Sequence, residues 1–320
     1  MKLKFTPVAL AAALALSACS MSPSDVTEAL EEIAAASSHD IIAIAIGGYD
    51  DEREISARVF HRGATRGYEY VDGQVRDARG QAMISADSMG YPRVPGSWDV
   101  EAIMDAHPER CDGKRIKATA LRRDTLVEVS CSARHVSTTI GDYEFRPIER
   151  WDSEEGIQTV LDETVLLTGG SVTGLKWDDS TERDVTIHTR TGEGAEGECE
   201  GFIRRKLGEL DTNYVSLGLC FDPPSSDAPQ DIRFRVEKID AGNLAAAMQV
   251  ASEEAGLPTE DAKWVDVRTT NLPDDFVRTE PYLFMMWDDG DDNIAKFAVE
   301  IDTGKILTKE VFRDGELVED

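Results

Sequence analysis

His107-x-x-x-Cys111 is mirrored by Cys131-x-x-x-His135, and these four side chains carry the most specific metal-type spacing in the chain. Two thiolates and two imidazoles would satisfy a tetrahedral zinc ion if a hairpin brought the ends together. The same cysteines serve equally as a disulfide with two incidental histidines outside it. His39, His61 and His188 have no comparable companions. A second candidate is Asp288-Asp289-Gly290-Asp291-Asp292-Asn293, where hard oxygens cluster as calcium requires. Counted from Asp288, however, glycine falls at the third place and Val299 at the twelfth, where an EF-hand needs a bidentate acid. An acidic hairpin tip between Trp287 and Ile294 accounts for the run. Gly169-Gly170-Ser171-Val172-Thr173-Gly174 approaches the Gly-x-Ser-x-Gly nucleophile elbow, but Thr173 stands where the second glycine must be. No glycine loop with a following lysine is present to cradle phosphate. Paired carboxylates for glycoside chemistry are not legible among 62 acids. No catalytic, cofactor-binding or metal-binding residue is therefore assigned.

The elements that would carry these residues alternate irregularly between helix and strand. Ser24 or Asp25 can cap a first helix ending near Ser37, with Val26, Leu30 and Ile33 on one face. Ile41 to Ile46 reads as a buried strand stopped by Gly47-Gly48, followed by strands at Ile55–Phe60 and Gly67–Val71 and a turn at Asp72-Gly73. Ser97 caps a short helix over Asp99–Ala106. Ile116, Ala118 and Ala120 alternate on one strand and Val127, Val129 and Cys131 on the next, with Arg122-Arg123-Asp124 as the turn. Val136–Phe145 extends that sheet, residues 153–162 form a helix, and Val185–Thr189 is a strand. Thr191 to Gly197 reads as a flexible acidic loop, before a second hairpin of Phe202–Leu207 and Tyr214–Phe221. The cysteine spacings of the two hairpins are alike but their phases differ, which leaves an internal duplication open. Asp222-Pro-Pro-Ser-Ser-Asp-Ala-Pro229 is the candidate domain boundary. After it come a strand at Ile232–Val236, a helix at Leu244–Ala255, and strands at Trp264–Val267, Tyr282–Trp287, Lys296–Ile301 and Ile306–Phe312. This order predicts an α+β fold of mainly antiparallel sheets with a few short helices packed on them.

The N-terminus states an address. Lys2 and Lys4, the apolar run Val8–Leu16 and small residues leading into Cys19 have the order of a secretory signal peptide. Leu16-Ser17-Ala18-Cys19 resembles the lipobox of bacterial lipoproteins, which implies cleavage before Cys19 and acylation of that residue. In that class Ser20, in place of an aspartate, implies the outer membrane. Four divisions are expected: residues 1–18 a cleaved signal peptide, 19–24 a lipidated tether, 25–222 an α+β domain, and 230–320 a C-terminal α+β domain. A folded body beginning near Ser24 must then sit close to the bilayer. No later apolar run approaches the roughly twenty residues of a spanning helix, so acyl chains alone would hold the chain to the membrane. An exported chain with four remaining cysteines predicts disulfides, with Cys111–Cys131 and Cys199–Cys220 favoured because each pair brackets a hairpin. Each bridge closes a loop of about twenty residues, worth roughly 3 kcal/mol in the chain-entropy model. The formal net charge is −28, and the leader contributes only its two lysines, so the mature chain is more acidic still. That excludes a phosphate backbone as a natural partner and points to cationic peptides or envelope proteins.

In the C-terminal part, the helix Ala246–Gly256, the strand Trp264–Val267 and the stretch from Phe297 to Leu307 with its Asp302-Thr303-Gly304 turn resemble a PepSY module. The resemblance implies an extracytoplasmic domain that binds or restrains peptidases. Together these features predict an outer-membrane-anchored periplasmic lipoprotein acting as a non-enzymatic binding or inhibitory module. The alternatives are an envelope hydrolase whose carboxylates are hidden among surface acids, or a structural envelope component.

Overall fold

The computed structural model describes residues 21–47, 54–61, 64–78, 91, 93–105, 114–131, 134–178, 184–194, 197–208, 214–217, 232–269, 279–288, 290 and 293–318. Helix α1 (Pro23–Ser37) starts one turn earlier than its acids suggest. Ser22 is the cap, its Oγ accepting from the Asp25 amide while the Asp25 carboxylate accepts from the Ser22 amide. This reciprocal pair satisfies two donors that the first turn would otherwise leave bare. Val26, Leu30 and Ile33 then fall on the face that meets the first sheet.

That sheet contains β1 (Ile41–Ile46), β2 (Ile55–His61), β3 (Ala64–Val71), β4 (Gln74–Asp77), β5 (Lys114–Ala120), β6 (Thr125–Cys131), β7 (Arg134–Ile140) and β8 (Tyr143–Glu144). Its order is β4-β3-β2-β1-β5-β6-β7-β8, antiparallel throughout. β1 lies in the middle and is buried along its whole length, which is why it reads as an unbroken apolar run. Helix α2 (Val100–Asp105), capped by Asp99 and not by Ser97, joins α1 on the same core. The single strand expected over Val136–Phe145 is instead β7, a two-residue turn and β8.

The second sheet contains β10 (Gly174–Asp178), β11 (Asp184–Gly194), β12 (Gly197–Lys206), β13 (Val215–Leu217), β15 (Trp264–Arg268), β16 (Tyr282–Asp288), β17 (Ile294–Glu300), β18 (Ile306–Arg313) and β19 (Glu316–Leu317). Its order is β13-β12-β11-β10-β15-β16-β17-β18-β19, again antiparallel. A separate ribbon pairs β9 (Ser171–Val172) with β14 (Phe234–Arg235). Helices α3 (Glu154–Thr168) and α4 (Ala241–Ala255) pack on each other and on this second sheet. Its strands alternate cleanly: Leu175, Trp177, Val265 and Val267 point to the helices, and Lys176, Trp264, Asp266 and Arg268 to the other face. The acidic stretch after Thr191 continues β11 as far as Gly194, where it pairs with Gly197, so most of that expected loop is hairpin.

Both sheets are wound alike. A helix leads into the central strand, the next strands meander outward on one side, a second helix follows, and the chain returns to meander on the other side. The duplication therefore lies in topology and not in the cysteine spacing. Cys131 ends a strand of the returning meander of the first sheet, whereas Cys199 lies in a strand of the outgoing meander of the second. Residues 222–229 lie outside the described residues, and the second sheet takes β10–β13 from before them and β15–β19 from after them.

Candidate functional site

Described residues form several clefts, three of which are well defined. The largest, about 1230 Å³, runs along the link from Asp142 to Arg150 and the first half of α3. Ser153 starts that helix, its Oγ accepting from the Gly156 amide at 3.1 Å. Gly156 has no side chain for a specific reason: a Cβ there would run into the Arg150 carbonyl. The bare helix turn can therefore lie directly against the link, and the groove forms beside their contact.

Tyr143 and Glu163 lie on its floor. Glu163 is 1% exposed and Arg205, from β12, is fully buried. Arg205 grips the carboxylate through two bonds, Nε to Oε2 at 2.6 Å and Nη2 to Oε1 at 2.9 Å. Nη1 and Nη2 also donate to the carbonyls of Lys206 and Arg146, respectively. The guanidinium carbon also lies 5.4 Å from the centre of the Phe145 ring and 5.3 Å from that of Tyr214. The Tyr143 hydroxyl donates to Glu163 Oε1 at 2.8 Å. Burial, and then the negative Glu163, push the Tyr143 phenol far above its ordinary range. Tyr143 thus keeps its proton and cannot act as a base. The network locks α3 to the second sheet and to the link from the first.

Above this floor the groove is acidic. Asp142, Glu144, Glu149, Glu154 and Glu155 are exposed along it, facing only Arg146 and Arg150. Arg146 is already held by Glu144 at 2.9 Å, and Arg150 lies 3.9 Å from Asp152. Such a lining attracts cations through a large, solvated surface.

The other two clefts are smaller. One of about 400 Å³ holds Arg233, Arg235 and Lys238 against Glu280, Glu300 and Asp302, a balanced set in which Arg235 is ion-paired with Glu237. The hydrogen bond from Arg235 is the main reason the Glu237 carboxyl sits below its usual range. The other, about 560 Å³, lies between the end of α4 and the β16–β17 hairpin, where Trp287 donates to the Pro258 carbonyl at 2.9 Å. On the second sheet's helix-free face, Asp266 is bound by Arg268 and by the Trp264 indole, whose ring carries Lys176 Nζ 4.0 Å from its centre. Burial raises the Asp266 carboxyl, opposed chiefly by Arg268.

The residues singled out by spacing fall as follows. Cys19, Cys111, Cys220 and His107 lie outside the described residues. Cys131 ends β6 opposite Lys114, three positions after Cys111 in sequence, and its sulfur is not a free thiol. Cys199 lies in β12 opposite Thr191. His135 sits edge-on to Tyr214 with ring centres 5.3 Å apart, and its Nε2 is 3.4 Å from Thr138 Oγ1. Among the described residues no group of three or more histidines, cysteines or acids is placed to hold a metal ion. Asp288 pairs with Ile294 across the β16–β17 hairpin and accepts from the Gly290 amide, while Asp289, Asp291 and Asp292 lie outside the described residues. Gly169 and Gly170 end α3 in the left-handed conformation and lead into β9, so this segment runs helix–turn–strand, the reverse of a nucleophile elbow. The groove itself has no sequence motif, since Arg205 lies 42 residues from Glu163. Among the described residues no helix is long and apolar enough to cross a membrane.

No family model matches the chain, and no curated protein matches it. One solved structure with some likeness is described as a "putative lipoprotein" from Clostridium difficile 630, at 13% identity, 53% of this chain, 96% of that one and a TM-score of 0.32.

Proposed function

We propose that this protein is an acylated envelope lipoprotein of the outer membrane, facing the periplasm, that acts by binding a cationic segment of a peptide or envelope protein without catalysing a reaction. The observation that carries the binding reading is the acidic groove along α3, whose floor is locked by ion pair and hydrogen bonds while its walls present exposed carboxylates. The anchor at Cys19, the Cys111–Cys131 and Cys199–Cys220 bridges, and a PepSY-like role for the C-terminal elements belong to the same reading.

The test is binding of a fluorescent oligolysine peptide, followed by crosslinking of the lipidated protein in intact cells. Reversing Glu154 and Glu155 to lysine together is expected to weaken peptide binding by about tenfold, or about 1.4 kcal/mol. Reversing Glu28 and Glu31 on α1 makes the same change in net charge and is expected to leave most of the affinity. Equal losses from both pairs would reduce the attraction to the overall field and sink the groove as a site. Recovery of no partner from cells would count against binding altogether.

A further inference from the structure

We infer that one end of the first sheet, the end bearing Ser22, the β3–β4 turn and the starts of β2 and β5, rests on a lipid surface. This rests on the proposed acylation of Cys19. Among the described residues the first helix starts at the Ser22 cap, and Met21 already packs against the first core. Three peptide units separate Cys19 from Ser22, a reach of at most about 10 Å even fully extended. An acylated Cys19 therefore cannot leave the body free to turn away from the bilayer.

The topology states which residues share that end. α1 stops at Ser37 and β1 starts at Ile41, so β1 runs back and its Ile46 end returns toward Ser22. Ile46 pairs with Ile55 and with Ile116, which brings the starts of β2 and β5 there. Ile55 pairs with Tyr70, next to the Asp72–Gly73 turn, and Lys114 pairs with Cys131. Burial, and then Glu32, Glu28 and Asp25, raise the Tyr70 hydroxyl, which places β3 alongside α1. The turn Leu121–Thr125 lies at the other end of β5 and β6 and meets the second half of the chain, with Arg123 beside Gly169. Strands of seven residues put these ends roughly 20 Å apart. Acids and bases are mixed at the lower end, with Glu54 and Asp72 against Lys114 and Arg134, so the tether and not charge attraction sets the orientation.

The experiment places a bio-orthogonal spin label at Gln74 or at Arg122, both exposed, in the full-length lipoprotein. Each is reconstituted in phosphatidylethanolamine–phosphatidylglycerol vesicles containing a nickel-chelating lipid, and the relaxation enhancement is read. The label at 74 is expected to show at least about twofold more enhancement than that at 122, given roughly 20 Å of separation. A fifteen-residue Gly/Ser insert between Ser20 and Met21 is expected to abolish the difference. Equal or reversed enhancement in protein whose N-terminal peptide carries acyl mass overturns the orientation and leaves the anchor standing. Persistence of the difference with the insert overturns the tether as its cause. An unacylated Cys19 removes the anchor and this inference together.

Discussion

A charge buried as deeply as Arg205 is tolerable only because four of its five N–H donors are met and its counter-charge is beside it. Two go to Glu163 and two to carbonyls, and the guanidinium lies over the rings of Phe145 and Tyr214. The favourable pairing offsets a desolvation cost of several kcal/mol per ion, so the pair as a whole adds little, whereas breaking it is expensive. Glu163→Gln keeps the shape but leaves the guanidinium without its counter-charge and turns an amide donor toward it. The expected loss is about 3–5 kcal/mol in urea unfolding. Joint replacement Glu163→Leu with Arg205→Met is expected to recover most of that loss, since nothing charged is left buried. A single-variant loss under about 1 kcal/mol would mean that water reaches the site. Tyr143→Phe removes one neutral donor and is expected to cost about 1 kcal/mol.

At the scale of elements, α3 departs most from ordinary expectation at Gly156. Alanine in a helix normally outranks glycine by about 1 kcal/mol. Here the added methyl would overlap the Arg150 carbonyl and force the link away from the helix. Gly156→Ala is therefore expected to destabilise by about 1–3 kcal/mol, read as a lowered Tm, with Ser153→Ala costing about 1 kcal/mol through the lost cap. A Tm that rises on Gly156→Ala would show that the link gives way freely. The same helix shows why sequence periodicity stops short. Residues 153–162 read as helix, but the element runs to Thr168 because its later core positions are polar. Thr164 and Thr168 bond back to the carbonyls four residues earlier, and Glu163 is held by Arg205, so each is satisfied where an apolar residue was expected. β10 escaped notice because only Leu175 and Trp177 of its five residues face the core. β9 and β14 are two-residue pairings with no period to read. The β5–β6 hairpin was fully legible, since Ile116, Ala118, Val127 and Val129 alternate on both sides of a polar turn. The groove was not legible at all: its acids are five among 62, selected only by the way the link folds against α3.

For the whole molecule, the two sheets are each a complete helix-and-meander unit, and two such units could unfold separately. The core argues otherwise. Leu121, Leu126 and Ile140 belong to the first sheet or its turn, and Phe145 and Ile148 to the link, yet all five pack in one cluster with Leu175, Val185 and the rest of the second sheet. Ile148 also donates its amide to the Leu207 carbonyl, and His135 of β7 meets Tyr214 beside β13. The second sheet cannot melt without stripping apolar cover from the end of the first, and the reverse holds too. A single transition is therefore expected by calorimetry under oxidising conditions, with calorimetric and van't Hoff enthalpies in agreement. Leu126→Ala tests the cause, because it removes a buried contact that only the shared cluster requires. It is expected to cost about 2–5 kcal/mol and to split the single peak into two, as the surviving contacts no longer bind the units into one. A single peak that merely shifts would show that the remaining joints suffice. Two peaks in the unmodified protein would show that the shared cluster does not couple the sheets.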